Sequence, residues 1–227
     1  MIDRQLEAEA MDSVEEAREY DLMDHAVVNA RFVADALDAA SRLGPSDLRG
    51  QWVVDVGTGT ARIPIEFCRV HPAGRVVAVD LAHEMLRVAR QNVLSAGVGM
   101  RVAVQIARAT ALPLRDACSP MVMSNSLIHH LPDPAGAFKE FVRIVSRGGI
   151  LFVRDLFRPA SRSAVDQLVE TYAAGATAHQ RQLLADSLGA ALTLDEVRDV
   201  VRGLPFVHLS LTETSDRHWT LVAVRAA

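Results

Sequence analysis

Apolar residues recur along this chain at two periods, and the switch between them divides it into segments. Residues 13–19 (SVEEARE) and 24–43 read as helices. In the second, Val27, Val28, Phe32, Val33, Ala36, Leu37 and Ala40 fall at helical spacing. Asp24 is its candidate N-cap, and Leu43-Gly44-Pro45-Ser46 ends it. From Trp52 onward, short apolar runs rich in β-branched residues take over: Trp52–Val56, Arg75–Asp80, Val102–Ile106, Met121–Asn125 and Ile150–Arg154. Helical segments at about 61–70, 83–96 and 134–146 alternate with them. His71-Pro72-Ala73-Gly74, Gly97 and Arg147-Gly148-Gly149 supply the breaks.

Such alternation predicts an α/β fold, a Rossmann-like doubly wound sheet with strands buried on both faces. Residues 161–203 interrupt it with two or three helical segments. Phe206–Thr212 and His218–Val224 read as final strands joined by Glu213–Arg217. That join is too short for a parallel crossover, so the sheet is mostly parallel with one antiparallel strand near the C-terminus. The expected organisation is one domain. It has an N-terminal helical cover over 1–45, a core over 50–155, a helical lid over 156–204 and a terminal β-hairpin over 205–227.

Composition changes this picture little. The 227 residues, half of them hydrophobic, suffice for one domain core. A net charge of −4 gives no overall electrostatic case for nucleic acid or membrane. Residues 1–24 carry nine acids and two arginines and read as a solvated helical face. Cys68 and Cys118 form no CxxC or metal framework, and both read as small buried side chains in a reduced compartment. No secretory signal and no uninterrupted run of eighteen apolar residues is visible, so a cytoplasmic location without a membrane span is expected. A homodimer is left open.

Candidate chemistry gathers at strand ends. The first strand closes in Asp55-Val56-Gly57-Thr58-Gly59, where glycines let a ligand approach the backbone beside a helix N-terminus. The second closes in Asp80, an acid placed to accept hydrogen bonds from ribose hydroxyls. A dinucleotide fingerprint would place a third glycine where Arg62 stands, and Asp55 is ill-suited to a pyrophosphate. An NAD(P) oxidoreductase is therefore disfavoured, and Asp55 suits a cofactor with a cationic amino-acid end. His129 and His130 follow the fourth strand and can move a proton near neutrality. Adjacent histidines do not readily chelate one ion and no cysteine or paired acid completes a site, so loop-packing roles compete with a substrate-facing one and no metal is expected. Asp155 closes the fifth strand, either orienting substrate or pairing with Arg154 or Arg158. Tyr20 and His25 sit in a polar run at the second helix.

Residues 52–65 (WVVDVGTGTARIPI), 76–89 (VVAVDLAHEMLRVA), 121–134 (MVMSNSLIHHLPDP) and 138–154 (FKEFVRIVSRGGILFVR) together resemble, in order, motifs of class I S-adenosylmethionine (SAM)-dependent methyltransferases of the ubiquinone/menaquinone-biosynthesis-like branch. The resemblance implies SAM as cofactor and methyl transfer to a small-molecule substrate. Carried over by position, Asp55, Gly57, Thr58 and Gly59 line its methionine part and Asp80 its ribose. Leu81 and Met85 lie against adenine, with Asn125 and Ser126 nearby. His129, His130 or Asp155 takes an acceptor proton, and Tyr20, His25 and Arg154 reach substrate. Two positions depart from the pattern: Arg108 stands where the branch has an acid for the adenine amino group, and Pro120 where it has an acid before the fourth strand. Arg108 cannot accept a hydrogen bond, which leaves backbone groups or Thr110 for adenine. The same departures motivate an alternative, a SAM-binding partner or sensor without catalysis.

Overall fold

The computed structural model describes residues 2–6, 12–45 and 47–227; Ser46, part of the expected helix stop, lies outside them. In chain order the elements are α1 (Val14–Leu22), α2 (Ala26–Leu43), β1 (Trp52–Val56), α3 (Arg62–Val70), β2 (Arg75–Asp80), α4 (His83–Ser95), β3 (Val102–Ile106), β4 (Ser119–Asn125), α5 (Pro134–Ile144), β5 (Val145–Leu156), α6 (Arg162–Tyr172), α7 (Ala178–Ala190), α8 (Leu194–Val201), β6 (Phe206–Glu213) and β7 (His218–Arg225). A 3-10 turn, Ile128–His130, lies between β4 and α5.

Among the described residues one seven-stranded sheet forms in the order β3-β2-β1-β4-β5-β7-β6. β1 to β5 run parallel, and β7 runs antiparallel to both β5 and β6. The reversed strand is thus β7, the one entered through the short join. Strand alternation sends successive side chains to opposite faces. Val53, Met121, Met123, Ile150 and Phe152 pack with α2, α3 and α4, whereas Val54, Val56, Val122, Leu151 and Val153 pack with α5 and α8. Strand order reverses between β1 and β4, and the crevice outside their carboxyl ends is where an open α/β sheet accepts ligands.

Several expectations need correction. The N-cap of α2 is His25, which makes no side-chain capping bond; Asp24, one residue earlier, accepts the Ala26 N–H at 3.0 Å. Val27 and Val28, counted in the apolar face of α2, are exposed, and its buried residues begin at Phe32. α1 continues to Leu22 and so contains Tyr20 and Asp21. Cys68 is buried but Cys118 is exposed, in the loop leading to β4. β4 starts at Ser119 and β5 at Val145, which pair across a bulge. Pro120 therefore sits at the amino end of β4, at the opposite end of the strand from the crevice.

α2 holds the N-terminal segment to the core through Phe32, Val33, Ala36, Ala39 and Ala40, with Phe32 edge-on to Phe152 at 5.2 Å. Phe32→Ala is expected to cost about 3–5 kcal/mol, read as a lower urea midpoint at unchanged slope. A loss below about 1 kcal/mol would show that α2 is not anchored there.

Candidate cofactor and substrate site

β1 delivers Asp55 to the sheet's carboxyl edge, and the chain then turns sharply. Gly57 (φ 79°), Gly59 (φ 54°) and Ala61 (φ 62°) all adopt left-handed backbone. A Cβ on Gly57 would meet Leu127 atoms at 2.8–2.9 Å, so glycine is required there for space as well as for φ. The turn is tied to the neighbouring strand: the Gly57 and Thr58 N–H groups both donate to Val79 O, at 2.8 and 2.9 Å. Asp80 completes the tie, its two oxygens accepting the Gly59 N–H at 2.8 Å and the Ala82 N–H at 2.9 Å. Each of those oxygens retains acceptor capacity for a further donor.

Asp55 is buried. One of its oxygens accepts the Thr58 hydroxyl at 2.6 Å, and the other has no hydrogen-bond partner. Burial, reinforced by the charge of Asp80 and opposed by the Thr58 hydroxyl, pushes its carboxyl up to about 7. Burial also raises Asp80, against the pull of the Ala82, Gly59 and Leu81 N–H groups and the charge of His130. Two acids thus share one turn, and among the described residues no basic side chain is hydrogen-bonded to either, an arrangement a cationic ligand would relieve.

α1 covers this turn. Tyr20 lies half-buried against Gly59, and desolvation together with the charges of Asp80, Asp55 and Asp21 raises its phenol and keeps it neutral. The next residue, Asp21, receives both arms of Arg62 at 2.8–2.9 Å. Asn92 donates to Asp21 and to Thr60 O as well, closing a latch between α1, α3 and α4. Arg62, read from sequence only as a missing glycine, is the outer half of that latch. Thr58, Tyr20, His25, Asn29 and Asn125 line the cleft beneath. His25 places a buried Nε2 there without a partner, and burial keeps its imidazole neutral. A hollow between α2 and β6, lined by Arg42 and His208 among others, assembles no comparable set.

The remaining expected residues divide. Asn125 ends β4, and Ser126 follows it in left-handed backbone, its N–H donating to Arg154 O at 2.9 Å. Leu81 is exposed beside Asp80, as are Thr110 and Arg108 on the following loop. Met85, expected beside adenine, is buried against Ala17 and Tyr20. Arg154, expected to reach substrate, faces α2, where its guanidinium donates to Asp35 and Thr220. His129 and Asp155 are both buried and bonded to each other at 2.5 Å. Asp155 also accepts the Ile128 and Leu156 N–H groups. Burial alone would raise its carboxyl, but the charge and hydrogen bond of His129 hold it below the usual range. This pair fixes the 128–130 turn and does not itself face the crevice. His130 is half-buried, its ring lies tilted against that of His129 at 4.0 Å, and its charge acts on both Asp80 and Asp155.

Comparison with known proteins agrees with this geometry. A family model described as a methyltransferase domain matches residues 54–153. The chain is 30% identical over 188 residues to a malonyl-[acyl-carrier protein] O-methyltransferase of Geobacter sulfurreducens, covering 81% of this chain and 67% of that protein. It is 31% identical over 161 residues to the ubiquinone/menaquinone biosynthesis C-methyltransferase UbiE of Hahella chejuensis, covering 68% and 61%. The chain therefore spans about two thirds of these relatives. In fold it is similar to a SAM-dependent methyltransferase from Aquifex aeolicus (TM-score 0.65, 18% identity, 93% of this chain and 97% of that one). It is also similar to Haemonchus contortus phosphoethanolamine N-methyltransferase 2 in complex with S-adenosyl-L-methionine (TM-score 0.66, 16% identity, 95% and 60%).

The raised Asp55 carboxyl has a stability consequence. Both folded and unfolded states hold it neutral below about pH 4, so it costs nothing there. Between the unfolded value and about 7, folding opposes ionisation and stability falls as pH rises. Asp55→Asn is expected to remove that loss, on the order of 3 kcal/mol in the ligand-free protein at about pH 8 relative to about pH 4. Parallel stability–pH curves for variant and wild type would contradict it.

Proposed function

The chain belongs to the class I SAM-dependent methyltransferases of the ubiquinone/menaquinone-biosynthesis type, and on that premise we propose that it transfers a methyl group to a small-molecule acceptor by direct in-line displacement. The observation that carries this reading is the buried Asp55 carboxylate with one oxygen unpartnered beside a glycine turn. The fit to SAM is chemical: a cationic amino-acid end answers an acid with no cation, and a diol answers Asp80. When bound, SAM supplies an activated methyl group on a sulfonium.

The chain's own residues bind, orient and exclude water. Gly57 and Gly59 leave room for close approach, Asp55 takes the cationic end and Asp80 the ribose. Leu81, Thr110 and the backbone around Arg108 border the adenine side. α1 and the start of α2, carrying Tyr20 and His25, form the cover over the cofactor. α6 and α7 form the lid on the acceptor side. Positioning of this kind is worth roughly 7–11 kcal/mol in favourable systems. His130, at the crevice side of the turn, takes a proton from an acceptor that carries one, while His129 and Asp155 hold it in place. The relatives' names, a quinone-biosynthesis C-methyltransferase and a malonyl-thioester O-methyltransferase, favour a hydroquinone or a carboxylate-bearing thioester as the first acceptors to try.

A second reading, SAM binding without transfer, is favoured by the exposed Arg108 where the branch has an acid. Transfer of radiolabelled methyl from SAM to the acceptor panel separates the two: label in any acceptor excludes the second reading, and tight binding without label supports it.

Two measurements follow. Calorimetric titration should show SAM binding that weakens about tenfold per pH unit below about 7, as Asp55 protonates. Absence of binding at every pH refutes the proposal. His130→Ala should lower the transfer rate about 10²–10⁴-fold at unchanged SAM affinity; an unchanged rate would remove His130 from the mechanism.

A further inference from the structure

Three carbonyls at the ends of two helical segments converge next to the site without a local cap. Ala190 ends α7, whose last turn contains no basic residue, and His129 and Leu131 belong to the 3-10 turn and its exit. The last carbonyls of a helix carry partial negative charge and lack intrahelical donors. One side chain answers all three. Arg4 donates from Nε to Ala190 O at 2.7 Å, and from Nη2 to His129 O at 3.2 Å and Leu131 O at 3.0 Å. Its neighbour Gln5 donates its N–H to Gly189 O at 3.1 Å, and Ile2 packs in the cluster formed by α6, α7 and Leu156.

We propose that Arg4 is a positioning residue for methyl transfer, clamping the His129–His130 turn to α7 from the outside. From the inside the same turn is held by Asp155, which takes the Ile128 N–H and the His129 ring. Without Arg4 the turn loses its outer clamp, and three carbonyls lose a charged donor. A planar five-donor guanidinium spans all three, whereas an ammonium supplies charge from a single nitrogen and reaches fewer of them. The clamp joins the N-terminal segment, the lid and the proton-handling turn, so that docking of the lid helps to set the position of His130. The inference rests on the role given to His130 above.

The test compares wild type, Arg4→Ala and Arg4→Lys by three readouts: SAM affinity, amide hydrogen exchange, and radiolabelled methyl transfer to a hydroquinone and to a malonyl thioester. Arg4→Ala should bind SAM within about twofold of wild type. The His130 and Leu131 amides, bonded to Leu127 O and Ile128 O, should exchange at least about tenfold faster while β1 and β4 amides stay protected. The transfer kcat should fall by about 10–100-fold at unchanged KM for SAM, and Arg4→Lys should recover part of it. Unchanged turn exchange, unchanged kcat, or uniform acceleration across the sheet would each overturn the proposal, the last by showing a purely structural role. If wild type labels neither acceptor, the acceptor assignment fails instead, and the exchange data still decide whether Arg4 holds the turn.

Discussion

The site depends on a carboxylate held in the wrong solvent. Asp55 sits at the end of a strand buried on both faces, accepts one side-chain hydrogen bond, from the Thr58 hydroxyl, and has no cationic partner among the described residues. An unpaired buried charge is costly, and the group evades the cost by rising to about 7. A ligand bringing a positive charge to that position restores ionisation and gains the interaction in a low-dielectric setting. Such a site selects for a cation before any shape complementarity operates.

The rest of the fold serves to place that carboxylate and give it access. Reversal of strand order between β1 and β4 opens the crevice, and the left-handed backbone at Gly57 and Gly59 keeps side chains out of it. The same turn bonds to Val79 O and to Asp80, which ties the ends of β1 and β2 together. The α1 latch, Asp21 with Arg62 and Asn92, covers the turn from above. Behind the 128–130 turn, Asp155 and His129 form a buried pair, and the His130 ring lies against that of His129.

The parallel core was legible because its strands are continuous apolar runs that end in conspicuous acids and glycines; Trp52–Val56, Arg75–Asp80 and Val102–Ile106 match the observed strands residue for residue. The antiparallel end followed from the short Glu213–Arg217 join read between the last two strands, of which Glu213 in fact closes β6. What pattern reading missed are contacts between distant segments. Arg4 in an acidic leader and Arg62 in place of a glycine carry no periodicity, and their partners lie 125–186 and 41 residues away. Arg154 and Asp155 show the other limit. Adjacent on one strand, they face opposite sides of the sheet, and only the register decides that Arg154 meets Asp35 while Asp155 meets His129. Met85 likewise fits an adenine contact by motif position but is covered by Ala17 of a helix that position alone does not place.

Carboxyl-carbon NMR of Asp55, followed through pH with and without SAM, tests the central claim most directly. The account predicts a titration near 7 in the free protein that moves down by at least about two pH units when the cofactor's cationic end binds. An ordinary carboxylate titration in the free protein, or a bound cofactor that leaves the Asp55 midpoint where it was, would contradict it.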